Sequence, residues 1–180
     1  MTEKKKTGFW PDMLRPIVVL VAICLVASAL LGFTNAKTAP VIEANELLAA
    51  AETRRSVLPD AEDFIPLAVS DELAARGVTG IYQSTNGVGC VVTAESKGYG
   101  GDVVVTVGFD ASGAILRVDA NVSTETQGVG SKVGERTVLD RFNGLSGSVD
   151  GVELRSGATY TSRAVRQGVN AAVAAAASLG

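Results

Sequence analysis

The run Asp102-Val-Val-Val-Thr-Val-Gly-Phe109, the turn Asp110-Ala-Ser-Gly113 and the answering run Ala114-Ile-Leu-Arg-Val-Asp-Ala-Asn-Val122 decide the fold. Both runs are rich in β-branched residues and alternate in polarity, and a turn-forming tetrapeptide joins them, so they read as an antiparallel hairpin. Upstream, Gly80–Ser84 and Gly89–Ala94 flank Thr85-Asn86-Gly87. Asn-Gly is the pair that two-residue hairpin turns favour. Lys97-Gly98-Tyr99-Gly100-Gly101 reads as a flexible connection between the two hairpins.

Downstream, Ser123–Ser131 contains Glu125-Thr126-Gln127-Gly128-Val129-Gly130. Its polar residues and glycines suit either a surface loop or a backbone that approaches a ligand closely. Val138–Phe142 reads as a short helix and Gly144–Gly147 as a turn. Ser162–Leu179 is the last helix, with Val165, Val169, Ala172, Val173 and Ala176 on one apolar stripe and Thr161 or Ser162 as its cap. Strands followed by a terminal helix define an α+β class.

The N-terminal part differs in kind. Lys4, Lys5, Lys6 and Arg15 precede an uncharged run from Pro16 to Ala36. As a helix that run is about 31 Å long, enough for a hydrocarbon core of ~30 Å. A cleaved signal peptide has the same basic flank, but the run exceeds the usual apolar region of such peptides, which favours an anchor. Past the run, Lys37 is the only Lys or Arg before Arg54. The positive-inside rule then puts the N-terminus in the cytoplasm and the remainder outside, as a single-pass inner-membrane protein. Thr38-Ala39-Pro40 reads as a helix break. Val41–Val57 follows as an amphipathic helix, ended by Pro59-Asp60, and Ser70–Arg76 as a short helix stopped by Gly77. The resulting domains are 1–15 cytoplasmic tail, 16–36 transmembrane helix, 37–80 helical connector and 81–180 exported domain.

Composition narrows the chemistry. Of 180 residues, 47% are apolar and 19% charged, so the exported part has material for one ordinary core. Net charge is −3, which offers nothing to nucleic acid. The absence of histidine rules out Ser-His-Asp and Cys-His units. Cys24 lies in the apolar run and Cys90 far beyond it, so they do not pair, and one exported cysteine cannot build a zinc or iron–sulfur site. Redox chemistry on this chain therefore needs an organic cofactor.

Ser156-Gly157-Ala158-Thr159-Tyr160-Thr161-Ser162 stands just before the last helix. A helix N-terminus offers backbone N–H groups and about half an elementary charge to a phosphate. Thr159 and Thr161 add hydroxyls, and Arg155 and Arg163 flank them. On these letters alone the segment is either a phosphate site or an ordinary helix cap.

Over most of its length the chain resembles the G subunit of the Rnf (Rsx) electron transport complex, and is similar also to the C subunit of the sodium-translocating NADH:quinone reductase. The likeness is carried in order by the basic tail and apolar run ending Thr34-Asn35-Ala36-Lys37-Thr38-Ala39-Pro40, then Val57-Leu58-Pro59, Gly98-Tyr99-Gly100-Gly101, Glu125 through Lys132, and Ser156 through Val165. The resemblance implies an FMN-binding domain in which a flavin transferase joins FMN by a phosphoester to Thr159. It implies that Ser156, Gly157, Ala158 and Thr161 surround that phosphate. Glu125, Thr126, Gly128, Tyr99 and Gly100 would lie near the flavin. It further implies an electron carrier, not catalytic alone, whose partners are the other membrane subunits of a complex coupling ferredoxin:NAD+ electron transfer to Na+ or H+ translocation. Glu153 stands where the family's pattern usually has aspartate, so a scaffold of the same fold without covalent flavin is the alternative.

Overall fold

A computed structural model describes residues 9–179. Lys4, Lys5 and Lys6 lie outside them. The chain divides into two compact units, with the division between Ala49 and Ala50.

Helix α1 spans Phe9–Val57. From Leu14 to Ala50 every residue is exposed, including the large side chains of the apolar run. Among the described residues this is the one helix long and apolar enough to cross a membrane. The break read at Thr38–Pro40 does not occur: α1 continues through Pro16 and Pro40. Each proline removes one backbone donor. The Thr38 hydroxyl donates to the carbonyls of Thr34 and Asn35 at 3.1 and 3.5 Å, and the Ala-, Leu- and Glu-rich residues beyond Pro40 propagate the helix already formed.

The second unit is an antiparallel meander with a helix on one face. Its sheet holds β1 (Phe64–Leu67), β2 (Val78–Ser84), β3 (Gly89–Lys97), β4 (Asp102–Asp110) and β5 (Ile115–Asn121) in sequential order. The sheet thus begins earlier than residue 81, with β1 and the first residues of β2. β1 carries no turn pair or alternating run that marks it in the sequence; pairing with β2, Phe64 opposite Ser84, makes it a strand. Between them α2 (Asp71–Ala75) is capped by Ser70, whose hydroxyl accepts from the Leu73 N–H, and Gly77 follows at φ +92°.

β4 sits at the centre of the core. Val103, Val105, Val107 and Phe109 are fully buried and belong to one cluster with Val165, Val169 and Ala172 of α4 (Thr159–Ala177). Gly168 lets α4 close on the sheet, since a Cβ there would sit 2.8 Å from Val105. The intervening residues of β4 face the other way. There Val57 and Leu58, at and just past the end of α1, pack against Val91, and a Cβ at Gly108 would sit 2.3 Å from the Val57 carbonyl. The Arg54 guanidinium lies 4.3 Å over the Tyr82 ring on this side. The β4–β5 turn is braced by Asp110, whose carboxylate accepts from Ser112 N and Oγ and from Ala114 N at 2.8, 2.6 and 3.0 Å. Those bonds, the Ser112 hydroxyl first, hold its pKa below the ordinary aspartate value. Both cysteines are free thiols, and burial of Cys90 in β3 pushes its pKa up to about 11.

After β5, a 3₁₀ turn (Gly130–Gly134), α3 (Arg136–Leu139) and a second 3₁₀ turn (Asp140–Phe142) place Val133, Leu139 and Phe142 in the main core.

Candidate functional site

The site forms where three segments meet: the connection after β3, the loop after β5 and the start of α4. None is regular structure over its full length, so each is held by side-chain and turn bonds. Gly98 N donates to the Gly101 carbonyl at 2.8 Å and closes the first. In the second, Val129 N and Ser131 N both donate to the Thr126 carbonyl at 3.2 Å. Gly128, at φ +77°, donates its N–H to Ser131 Oγ at 2.9 Å. In the third, Gly157 takes φ +85° and Ala158 stands at the helix boundary.

Glu125 ties the three together. It is 5% exposed, while Thr124 and Thr126 on either side are exposed. Its Oε1 accepts from Tyr99 N at 2.9 Å and Gly100 N at 3.1 Å, and its Oε2 accepts from the Thr161 hydroxyl, itself 2% exposed. A buried carboxylate is tolerated when its oxygens are satisfied in this way. The fit admits no Cβ. One at Gly98 would sit 2.2 Å from Glu125 Oε1, one at Gly100 2.1 Å from the Thr124 carbonyl, and one at Gly130 2.8 Å from both Glu125 Cβ and Thr161 Oγ1.

These contacts leave a cavity of about 190 Å³ lined by Tyr99, Glu125, Thr126, Val129, Gly130 and residues 157–161. At its mouth the Tyr99 and Tyr160 rings stand 6.0 Å apart at 48°, and both are exposed. Thr159 is exposed, and its hydroxyl makes no hydrogen bond among the described residues. No side chain caps α4, so its first N–H groups remain open to an acceptor.

Seven of the ten residues named from the sequence therefore line one cavity: Thr159, Gly157, Ala158, Thr161, Glu125, Thr126 and Tyr99. Gly100 adjoins it through the N–H given to Glu125. Ser156 lines a neighbouring groove that shares Thr159, and Gly128 sits in an exposed turn away from the cavity. Thr161 and Ser162 do not cap α4. The helix starts at Thr159, which puts both residues in its first turn; the Thr161 hydroxyl goes to Glu125 and that of Ser162 to the Arg155 carbonyl at 3.3 Å. Gly130, one of the two loop glycines read as allowing close approach to a ligand, also lines the cavity, whereas Tyr160 and Val129 are lining residues that sequence reasoning passed over. The readable signal for Tyr160 was an aromatic directly after Thr159 at a helix start.

In chemical terms, the site presents an accessible hydroxyl beside open helix N–H groups and two exposed aromatic faces. That set suits a phosphate-bearing planar aromatic ligand. Among the described residues no group of three His, Cys, Asp or Glu is placed to hold a metal ion.

The architecture is a long apolar helix joined to a small α+β domain with a tyrosine-lined cavity at an uncapped helix start, and residues 98–174 match the family model of the FMN-binding domain. Over most of its length the chain is similar to the G subunits of ion-translocating complexes. It is 29% identical to the G subunit of the Na(+)-translocating ferredoxin:NAD(+) oxidoreductase complex of Acetobacterium woodii, over 96% of this chain and 95% of the relative. It is 25% identical to the proton-translocating counterpart of Clostridium ljungdahlii, over 86% of each. It is 27% identical to the G subunit of the ion-translocating oxidoreductase complex of Shewanella piezotolerans, over 85% of this chain and 84% of that one.

Proposed function

We propose that this chain is a membrane-anchored flavoprotein subunit that carries FMN through a phosphoester on Thr159. It serves as an electron carrier among the other subunits of a complex that links ferredoxin and NAD+ to Na+ or H+ movement. The observation that carries the reading is the exposed, uncommitted hydroxyl of Thr159 at the start of an uncapped helix, beside the tyrosine-lined cavity. Thr161 is the other hydroxyl in the motif, and it is buried and spent on Glu125.

The residues fit the group. The open N–H groups of α4 and the helix dipole would hold the phosphoryl, while Tyr99 and Tyr160 offer faces to the ring. When bound, the flavin supplies one- and two-electron chemistry that this chain's side chains lack. Glu125 is a positioning residue, since its carboxylate is consumed in joining Tyr99 and Gly100 to α4. The excess of Lys and Arg before residue 16 favours a cytoplasmic N-terminus and an extracytoplasmic flavin domain. Maturation then requires a flavin transferase on that side.

The test is in-gel flavin fluorescence after SDS denaturation, on full-length protein co-expressed with a flavin transferase. The wild type should give a fluorescent band and Thr159→Ala a dark one. Flavin retained on the variant would move the attachment elsewhere. A dark wild-type band, with the transferase active on a control, would favour the scaffold alternative, with Glu153 spoiling recognition.

A further inference from the structure

Thr159 borders a second depression besides the tyrosine-lined cavity. A groove of about 430 Å³ is lined by Glu153, Arg155, Ser156, Thr159, Arg163 and Arg166, with Leu154 and Ser162 completing it. Helical spacing explains one wall. Thr159, Ser162, Arg163 and Arg166 stand at i, i+3, i+4 and i+7, so they share one face of α4 over two turns. The other wall is the segment 153–156. It is held to that face by Arg166 Nη2 donating to the Val152 carbonyl at 2.9 Å and by Ser162 Oγ donating to the Arg155 carbonyl.

The groove is electrostatically unfinished. Arg155 and Arg163 are exposed and, among the described residues, make no ion pair or hydrogen bond through their guanidinium groups. Arg166 is half-buried, and its Nε is buried without a hydrogen-bond partner. Its charge is felt by Asp150, which does not line the groove. Glu153 is the one carboxylate among the lining residues. Three guanidinium groups against one carboxylate leave positive charge in excess in the groove that Thr159 borders. Planar guanidinium forks match phosphate oxygens, and such charge-assisted bonds are the strong ones.

We propose that this groove is a phosphoryl subsite, in which Arg155, Arg163 and Arg166 hold the phosphate of the flavin nucleotide against Thr159. The inference rests on the reading of Thr159 as the attachment residue and adds what orients the phosphate there. The two depressions then divide the ligand between them: the tyrosine side takes the ring and the arginine side takes the charge. The arginines act on the phosphate whether or not it is esterified, so the subsite recognises free FMN and does not recognise riboflavin, which has the same ring and no phosphate.

The experiment is equilibrium dialysis of the full-length, unflavinylated chain in detergent against FMN and, in parallel, riboflavin. Wild type should retain FMN roughly tenfold or more tightly than riboflavin. Arg155→Gln/Arg163→Gln should lose most of that preference while binding riboflavin as wild type does; both positions are exposed, so the fold should survive, as circular dichroism would verify. Arg166→Gln is a second variant that tests the half-buried member separately. No retention of either flavin by wild type, equal retention of both, or an undiminished preference in the double variant would overturn the subsite. SDS-stable flavin on Thr159 alongside any of those results would leave the attachment reading intact and remove only the arginine groove. An intact FMN preference with no SDS-stable flavin would do the reverse.

Discussion

Replacing Glu125 tests whether one buried carboxylate holds the site together. In Glu125→Ala the Thr161 hydroxyl, 2% exposed, loses its acceptor inside the protein. An orphaned buried donor costs about 1–3 kcal/mol. Tyr99 N and Gly100 N also lose Oε1, but both residues are exposed and can turn to water, so together they add only about 1 kcal/mol. The total is about 2–4 kcal/mol. Glu125→Gln keeps an amide oxygen for the two N–H groups, and the Thr161 hydroxyl can rotate to accept from its NH₂. What it loses is charge assistance, about 1–2 kcal/mol. The assay is urea unfolding of the full chain in detergent. With a slope of ~1–3 kcal/mol per molar urea, Glu125→Ala should lower the midpoint by about 1–3 M and Glu125→Gln by roughly half as much. A double-mutant cycle with Thr161→Val should then return a coupling of about 1–3 kcal/mol. Strict additivity in that cycle, or a Gln variant as unstable as Ala, would refute the claim that this carboxylate brackets the loop to α4.

Further outcomes are expected elsewhere in the domain. Gly130→Ala pushes a methyl to within 2.8 Å of Glu125 and Thr161, so it should cost about 1–3 kcal/mol in the same urea assay. Leu58→Ala empties a fully buried position against Val91 and should cost about 2–5 kcal/mol; a loss below 1 kcal/mol would mean that the end of α1 is not part of the domain core. Cys90 titrates near 11 in the folded chain against an ordinary value of 9.0. Below pH 9 both states keep the proton and stability is flat from this group. Between pH 9 and 11 the unfolded thiol ionises while the folded one does not, so stability falls as pH rises, by up to about 2 kcal/mol. Comparing thermal unfolding of wild type and Cys90→Ala across that window isolates the effect, since the variant should lack this part of the alkaline slope.

Several features were legible in the sequence because their causes are local. The β4–β5 hairpin follows from β-branched alternation and a turn that Asp110 braces within four residues. Ser70 and Gly77 announce both ends of α2, and Asn86-Gly87 announces the β2–β3 turn, since each depends on the φ/ψ of one or two residues and on bonds to near neighbours. The apolar run of α1 is read from composition alone. Only the tertiary structure decided the rest. It made Phe64–Leu67 a strand by pairing it to β2, and it started α4 at Thr159, which turned two expected caps into partners for Glu125 and the Arg155 carbonyl. It brought Tyr99 to Tyr160 across 61 positions of sequence. Above all, it turned Glu125 inward from a loop that reads as polar surface. Local propensity contains no term for an acceptor that pairs with donors 26 and 36 residues away; that choice is made when the folded chain has shut out the water that would otherwise satisfy them.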